Sequence, residues 1–583
     1  MSTIPTSTGR IILGTANADA LQLPTGGLGL DTLFGVQGDD TLTAGIGSRG
    51  FIFGGRGNDS LAAGIGTTSG SVFFFGDQGD DTITGAGIGV EGLFANGGTG
   101  DDSIYGSIGR DFLYGGKDND TIVGNDGQDV IFGDNGDDLI IGGRLTGPLD
   151  TAGNILYGNQ GDDTIYGSAG NDSIFGGKDD DMINVDPALL GQAFVGVVQV
   201  GHVGGNNVIR GDQGNDTIGW RASTGNNIYD GGEGDDSLVG GIGGRATTAN
   251  TDGTINTNVF TDRLTTTPPG GTTPLTSGND SLYGGVGNDI LRGSGGNNTL
   301  NGGAGNDSLY SGLDRDTLIG GEGTDRFAYE RDVIRYNSSA RDNLGAPITA
   351  QVTVANRITR ADRITDFNAA TTQGDLIQIQ AFTAPAADGL PAVTVRNTFS
   401  GFDRNASGAL IREISSTQLT GLPTVLPGAT TEQFFGAGAA TGDTGTAFEG
   451  NPFATPQQQI LARQQLQNAV RGTVRAQQLT TADQITSFGL AAANADIIPG
   501  SIVIYIEQDF RLLAGPDNAQ TALGTIGGLS TFTFSENTLF GLSAGDTVLA
   551  VLTPPSGAGV TQAQITQFTD QFVSRGAGNF AFV

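Results

Sequence analysis

Between Gly97 and Ile141 one nine-residue phrase is repeated five times without a gap: GGTGDDSIY (97–105), GSIGRDFLY (106–114), GGKDNDTIV (115–123), GNDGQDVIF (124–132) and GDNGDDLII (133–141). Each phrase opens on glycine and carries Asp at the sixth position (Asp102, Asp111, Asp120, Asp129, Asp138). An aliphatic residue fills the eighth (Ile104, Leu113, Ile122, Ile131, Ile140). Six residues make a turn, where glycine supplies the φ > 0 conformations and close backbone approach that a turn needs. The remaining three make a short strand whose middle side chain points to one face. Two phrases then close one coil of eighteen residues, with turns on opposite edges and the aliphatic side chains inside. Stacked coils place the Asp carboxylates about one strand spacing apart, roughly 4.7–4.9 Å. Like charges that close need a cation between them, and carboxylate and carbonyl oxygens in a flexible turn suit a hard ion such as calcium.

The phrase resembles the glycine- and aspartate-rich nonapeptide of the repeats-in-toxin (RTX), or haemolysin-type calcium-binding, family. The resemblance implies a parallel β-roll holding multiple Ca2+ ions. It also implies export by a type I system that reads an uncleaved C-terminal signal, and the chain ends on a short hydrophobic tail of that kind, Asn579-Phe580-Ala581-Phe582-Val583.

Composition supports a repeat array. The chain has 583 residues, 101 of them glycine, and a net charge of −34. Such a mixture would ordinarily be disordered, but disorder gives no reason for an aliphatic residue to return every ninth position. Collagen is excluded because glycine does not recur every third. There is no cysteine, so neither disulfides nor thiolate metal sites contribute. Nucleic acid is a poor partner for this charge, and no apolar stretch reaches the eighteen residues of a membrane span. The N-terminus lacks the basic and apolar regions of a signal peptide. Repeated weak sites fill at extracellular rather than cytosolic calcium, so a secreted protein is expected.

The phrases sort into two columns of turns. The first holds Asp40, Asp59, Asp81, Asp102, Asp120, Asp138, Asp163, Asp181, Asp216, Asp236, Asp289, Asp307 and Asp325, with nearly every double-glycine opening. The second holds Asp31, Asp111, Asp129, Asp172, Asp280 and Asp316, interspersed with Asn154, Asn207, Asn227 and Asn298; Asp19 closes the earliest phrase. All twenty of these Asp residues are candidate metal ligands. Asn offers an oxygen but no charge, so the second edge is expected to hold calcium in fewer places. Membership beyond Asp280 assumes that parity survives a long insertion. From Asp19 to Asp325 about fourteen coils are expected, interrupted near 144–153, 186–205 and 241–276 by insertions that leave the stack as surface loops.

Beyond Phe327 the glycine phrases stop. Ala361-Asp362-Arg363-Ile364-Thr365-Asp366-Phe367-Asn368 and Gly374-Asp375-Leu376-Ile377 look like the segment that closes the roll in serralysins and other RTX proteins, and an open solenoid end needs a cap. Residues 456–487, rich in Gln and Arg, read as one or two helices, and 561–572 as another. Ser501 to Gln508, STFTFS (530–535) and DTVLAVL (546–552) read as strands. The expected fold is all-β: a parallel β-roll solenoid over residues 1–327, then a mostly β region with some helix over 328–583, for capping, assembly and secretion.

Catalytic chemistry is hard to find. A three-histidine zinc site needs more than the single His202. Gly541-Leu542-Ser543-Ala544-Gly545 matches GxSxG, but a strand-like run follows it where a nucleophile elbow needs a helix, and no histidine lies downstream. An ice-binding rank is not expected either, since the third phrase position varies (Gln37, Arg56, Gln78, Thr99, Lys117, Asn135). The expected function is that of a calcium-dependent extracellular structural protein, oscillin-like or of the surface-layer type. It would assemble with copies of itself as a layer, fibril or sheath, in contact with cell-surface polysaccharide and without inserting in a membrane. A secreted adhesin on a calcium-stiffened stalk is the alternative, followed by an enzyme of unrecognised type within 330–583.

Overall fold

A phrase that opens on two glycines lets the preceding strand run on through its first three residues, and this makes the coils asymmetric. Phe112–Lys117 is six residues long and spans Gly115 and Gly116, whereas the facing strand Thr121–Val123 is only three. The computed structural model describes residues 2–5, 9–25, 30–63, 72–85, 92–145, 150–184, 205–219, 225–240, 279–312, 314–330, 334, 354–370, 374–384, 393–397, 399–402, 472, 474–479, 497–506, 547–555 and 560–583. The chain divides into two compact units, Met1–Asn258 with Leu264–Ser308 and Leu309–Val583 with Val259–Arg263.

The first unit is a parallel β-roll. One sheet stacks thirteen strands from Arg10–Leu13 to Thr299–Ala304, each parallel to the next. The opposite sheet stacks the short strands from Ala20–Gln22 to Ile290–Arg292. The next strand of the long kind, Thr317–Glu322, belongs to the second unit. Eighth-position side chains from both sheets fill the interior: Leu33, Ile52, Leu113 and Ile131 from one, and Leu42, Ile83, Ile122 and Ile140 from the other, are fully buried. Ser2–Pro5 pairs antiparallel with Arg10–Leu13 and covers the first edge of the long-strand sheet.

Strand pairing continues across the insertions. Ser173 pairs with Val208 and Ile228 with Ser281, so the coils on either side remain neighbours and the assumed parity holds. The insertions at 186–205 and 241–276, His202 included, lie almost wholly outside the described residues.

The outward face of the long-strand sheet carries two rows set by the pleat. The ninth-position row reads Phe34, Phe53, Phe75, Asn96, Tyr114, Phe132, Tyr157, Phe175; the seventh reads Thr32, Phe51, Phe73, Phe94, Phe112, Val130, Ile155, Ser173. The third-position residues stack beside them in a row of mixed chemistry from Gln37 to Lys178, with no run of threonine.

In the second unit, Thr317–Glu322 pairs with Asp362–Ile364, and Arg326–Tyr329 with Leu376–Ile379, so the ADRITDFN and GDLI segments form one further coil. Thr547–Leu552 pairs beside Asp362–Ile364 and continues antiparallel into Ile502–Ile506 and Val474–Gln478. Two of the expected strands are thus present; STFTFS lies outside the described residues, as does the GxSxG stretch. The helix expected within 456–487 is corrected where the chain is described: Val474–Gln478 is a strand. Its Gln and Arg content favours helix, but the fully buried strand Ile502–Ile506 needs a hydrogen-bonding neighbour on that side, and tertiary pairing overrides propensity. The last expected helix is present as Gln562–Arg575, with a capping box in which the Thr561 N–H donates to Gln564 Oε1 (2.8 Å) and the Gln564 N–H to Thr561 Oγ1 (3.4 Å). Phe580–Phe582 pairs with Ile377–Ile379.

Candidate metal sites on the two edges of the roll

Every turn on the first edge presents its sixth-position Asp to the coil before it. The Asp40 N–H donates to Asp59 Oδ1, the Asp59 N–H to Asp81 Oδ1, and so on through Asp102, Asp120, Asp138, Asp163, Asp181, Asp216 and Asp236 to Asp289 and Asp307, at 2.6–2.9 Å. Asp19 begins the series by donating to Asp40 Oδ1. One oxygen of each carboxylate is therefore spent on holding the stack together. The other has no such use. Oδ2 of Asp40, Asp59, Asp81, Asp102, Asp120, Asp138, Asp163, Asp181, Asp216, Asp236 and Asp289 is buried with no hydrogen-bond partner. A buried carboxylate oxygen without a donor is costly, and eleven in one column are not accidental vacancies in packing.

On the second edge the same ladder runs through Asp and Asn alike. The Asp111 N–H donates to Asp129 Oδ1, Asp129 to Asn154, Asn154 to Asp172, Asp172 to Asn207, Asn207 to Asn227, Asn227 to Asp280, and Asp280 to Asn298. Asn keeps the rung and omits the charge. Earlier coils lack the acid altogether, because Gly50, Val72 and Leu93 occupy the register between Asp31 and Asp111. At Asp31, Asp111 and Asp172 protein donors reach the second oxygen. Arg10 forms an ion pair with Asp31 at 2.7 Å. The N–H of Ser107 donates to Asp111 Oδ2 and that of Ser168 to Asp172 Oδ2, both at 2.6 Å, and each serine hydroxyl also bonds its Asp. Asp129 differs, with an orphaned Oδ2.

The backbone explains which carboxylates are capped. On the first edge the phrase's second residue has positive φ: Gly116 lies at +125°, Asp134 at +79° and Asn159 at +86°. Its N–H lies in the extended strand rather than over the carboxylate. Ser107 and Ser168 are not among the positive-φ residues, and their N–H groups turn inward onto Asp. Asn125, before the uncapped Asp129, is at +69°. Asp19 obeys the same rule from the other side: its strand stops at Leu13, and the Thr15 N–H caps Oδ2 at 2.6 Å.

Electrostatics follow burial first and the caps second: uncapped Asp59 and Asp236, less deeply buried, rise only to about 6. Burial lifts Asp102, Asp138, Asp216 and Asp289 to about 7, Asp81, Asp120 and Asp163 to about 8, and Asp181 to about 9; the ladder N–H opposes this and neighbouring carboxylates add to it. Uncapped Asp129 rises to about 9, whereas Asp111 and Asp172, equally buried but capped, reach only about 6.

Each orphaned oxygen borders a small cradle. A Cβ on Gly115 would lie 2.3 Å from Asp120 Oδ2 and 2.6 Å from the Gly133 carbonyl oxygen, and the same pairing recurs at Gly54, Gly76 and Gly158. Among the described residues no three acidic or imidazole side chains converge on a point. An ion at this edge would take one carboxylate per corner and complete its shell from backbone oxygens. A set made only of oxygens suits a hard cation.

Three features escaped the sequence reading. Asp362 and Asp375 each add a rung in the second unit, accepting the N–H of Asp316 and of Asp325; the Gly-Asp-x-Ile of GDLI repeats the phrase's closing signal and could have revealed the latter. Asn368 and Asp375 also form a cap of the serine kind, N–H to Oδ2 at 2.6 Å. Finally, fifth-position Asp and Asn side chains form an exposed outer ladder in which the later coil donates, as in Asn119 N–H to Asp101 Oδ1 and Asp137 N–H to Asn119 Oδ1.

The profile of the RTX calcium-binding nonapeptide repeat matches residues 25–48, 51–68, 67–87, 94–122, 115–144, 150–183, 203–218, 221–243, 276–300 and 292–327. No curated protein matches the chain. Among solved structures, a hyperactive, Ca2+-dependent, beta-helical antifreeze protein from an Antarctic bacterium aligns at 17% identity over 54% of this chain and 85% of its own, with a TM-score of 0.25. Between Thr25 and Phe327 the chain is an array of RTX calcium-binding nonapeptide repeats, and calcium is the ion that such repeats bind.

Proposed function

We propose that the protein is a calcium-stiffened extracellular structural element that assembles with its own copies on a cell surface as a layer, fibril or sheath. The observation that carries this reading is the unbroken column of orphaned first-edge carboxylates, from Asp40 to Asp289. Calcium supplies the positive charge that column lacks, holding coil to coil. Asp40, Asp59, Asp81, Asp102, Asp120, Asp138, Asp163, Asp181, Asp216, Asp236 and Asp289 hold it through Oδ2, joined by Asp129 on the second edge. Asp280, Asp307, Asp316 and Asp325 belong with them by their place in the phrase. Asp19, Asp31, Asp111 and Asp172 have protein donors instead and take structural roles.

A calcium-stiffened roll of this kind has no need of a catalytic centre. No helix among the described residues is long and apolar enough to cross a membrane. Extracellular calcium, abundant and steady, keeps weak repeated sites filled, and the same ions switch the repeats from an expanded polyanion to a stacked roll after export. Electron microscopy of the purified chain in millimolar calcium and in chelator tests the reading. Ordered sheets or filaments that form only with calcium are expected; dispersed particles in both conditions would overturn it.

A further inference from the structure

The outward face of the long-strand sheet does something the ion column does not explain. From the coil of Phe34 to that of Phe175, sixteen outward positions in two rows contain eleven aromatic residues and no Asp, Glu, Lys or Arg, in a chain of net charge −34. The rings form a ladder. Phe34 stacks on Phe53 at 4.9 Å and Phe53 on Phe75 at 4.8 Å; Tyr114, Phe132, Tyr157 and Phe175 continue at 4.8–4.9 Å, with planes within 13° throughout. Where Asn96 interrupts the row, Phe94 leans across from the neighbouring one, 5.8 Å from Phe75 and 5.6 Å from Tyr114. The strip ends sharply, since Phe175 is followed in register by Arg210 and Asp230, an ion pair.

We propose that this strip is the surface by which two copies of the chain pair, face to face about a two-fold axis; the proposal rests on the self-assembling reading above and names its contact. Size agrees. Eight coils at about 4.8 Å by two side-chain rows give roughly 500 Å² per copy, so two copies bury about 1,000 Å², the lower bound of a specific interface. Phe112 and Ile155 are exposed and the other fourteen positions half-buried; a contiguous apolar strip of this size stands at the upper end of what a monomer shows, where such patches are often functional.

Chemistry selects a second copy over other occupants. The ring faces are already used against each other, so the surface offers a comb of ring edges rather than the open faces on which a sugar ring stacks. A comb with one tooth per coil is matched by an identical comb, whose teeth enter its grooves as side chains interdigitate between sheets packed about 10 Å apart. A two-fold axis brings the same patch to both sides without further design. The sixteen positions carry no charge and Arg110, at 5.1 Å from the centre of the Phe112 ring, places a positive ion over them, so the strip is where two such anionic molecules can approach with least repulsion.

The test is sedimentation of the full chain in millimolar calcium, wild type beside the triple variant Phe53→Thr, Phe75→Thr, Phe132→Thr, with far-ultraviolet circular dichroism confirming that both hold calcium-dependent β structure. Threonine suits an outward strand position, and should the triple variant lose its β signal, Phe75→Thr and Phe132→Thr singly supply the comparison. Wild type is expected to pair and the triple variant to dissociate about a hundredfold more readily. Folded wild type that stays monomeric at tens of micromolar, or a variant that pairs as well as wild type, would overturn the proposal. So would wild type that remains monomeric yet floats with phosphatidylcholine vesicles, since a lipid surface would then be the occupant. Large assemblies that persist in the triple variant would remove this contact and leave the surface-assembly reading standing. Dimers lost in the variant, without larger assemblies in wild type, would do the reverse.

Discussion

The two edges of the roll are made from the same phrase and solve the same problem differently. Where a turn from Asp31 onward closes on aspartate the side chain is buried, and on both edges one carboxylate oxygen accepts the N–H of the coil before it. On the first edge, positive φ at the phrase's second residue sends that N–H into the long strand, and the second oxygen is left for an ion. On the second edge, Ser107, Ser168 and Arg10 satisfy the acid from within, or Asn removes the charge. The backbone angle thus decides whether the carboxylate is capped, and strand length does not: Asn125, at φ +69° after the three-residue strand Thr121–Val123, leaves Asp129 uncapped as the first-edge turns leave theirs. The lesson is that a positive φ at the second phrase position, on either edge, goes with an aspartate that has no donor of its own.

Exchanging acid for amide should separate the edges most strongly. Asp120→Asn with Asp138→Asn keeps the ladder oxygens but removes two ion sites. In saturating calcium, each loss should cost about 2–4 kcal/mol of stability, and calorimetry should count two fewer ions per chain. Asp111→Asn with Asp172→Asn should leave the ion count unchanged and cost about 1 kcal/mol each, the value of the serine hydrogen bonds. In chelator the first-edge pair should reverse sign and stabilise, because it removes two buried, uncompensated charges. Equal ion loss from the two pairs would break the contrast between the edges.

The pH dependence should invert in the same way. Without calcium, Asp81, Asp120 and Asp163 have folded-state values near 8 against an unfolded 3.8, so the folded chain keeps protons that the unfolded chain has released. Its stability is then greatest at and below about pH 4, falls as pH rises from about 4 to about 8, and levels off above that. With calcium bound, protons compete for the same oxygens, so stability should fall as pH is lowered. Melting temperatures at pH 5 and pH 8.5, with chelator and with millimolar calcium, should give slopes of opposite sign. A chelated roll that gains stability towards pH 8.5 would show that these carboxylates are not buried uncompensated.

Much of this was legible because the repeat is strict. The inward eighth position, the membership of the columns and the parity across the insertion before Asp280 all follow from counting nines, and Asn227 pairs with Asp280 as counting requires. The caps were not legible. Whether Ser107 turns its N–H onto Asp111 depends on a backbone angle, and Ser294, the same residue type at the same phrase position, takes φ +63°. The aromatic ladder was hidden for a simpler reason: its residues lie about a coil apart in sequence, alternating with the other column, and only the pairing of Phe53 with Phe75 or Phe132 with Tyr157 brings them together. The strand Val474–Gln478 was masked by composition, since its partner Ile502–Ile506 is some 25 residues further on.

The smallest expected effect probes the angle itself. Val36 occupies the second phrase position on the first edge at φ +92°, in the register row that holds Gly55, Asp77 and Gly98. A β-branched residue there costs about 1–3 kcal/mol, and at 42% exposure its side chain recovers little of that by burial. Val36→Gly releases the strain and concedes about 0.5–1 kcal/mol of chain entropy, so it should stabilise the calcium-loaded roll by about 1 kcal/mol in denaturant titration. Val36→Asn should do the same, because Asn159 already holds φ +86° further along the row. Destabilisation by both would mean that Val36 does not sit at positive φ in solution; its N–H would then be free to cap Asp40, and that coil would belong with the self-sufficient turns of the other edge.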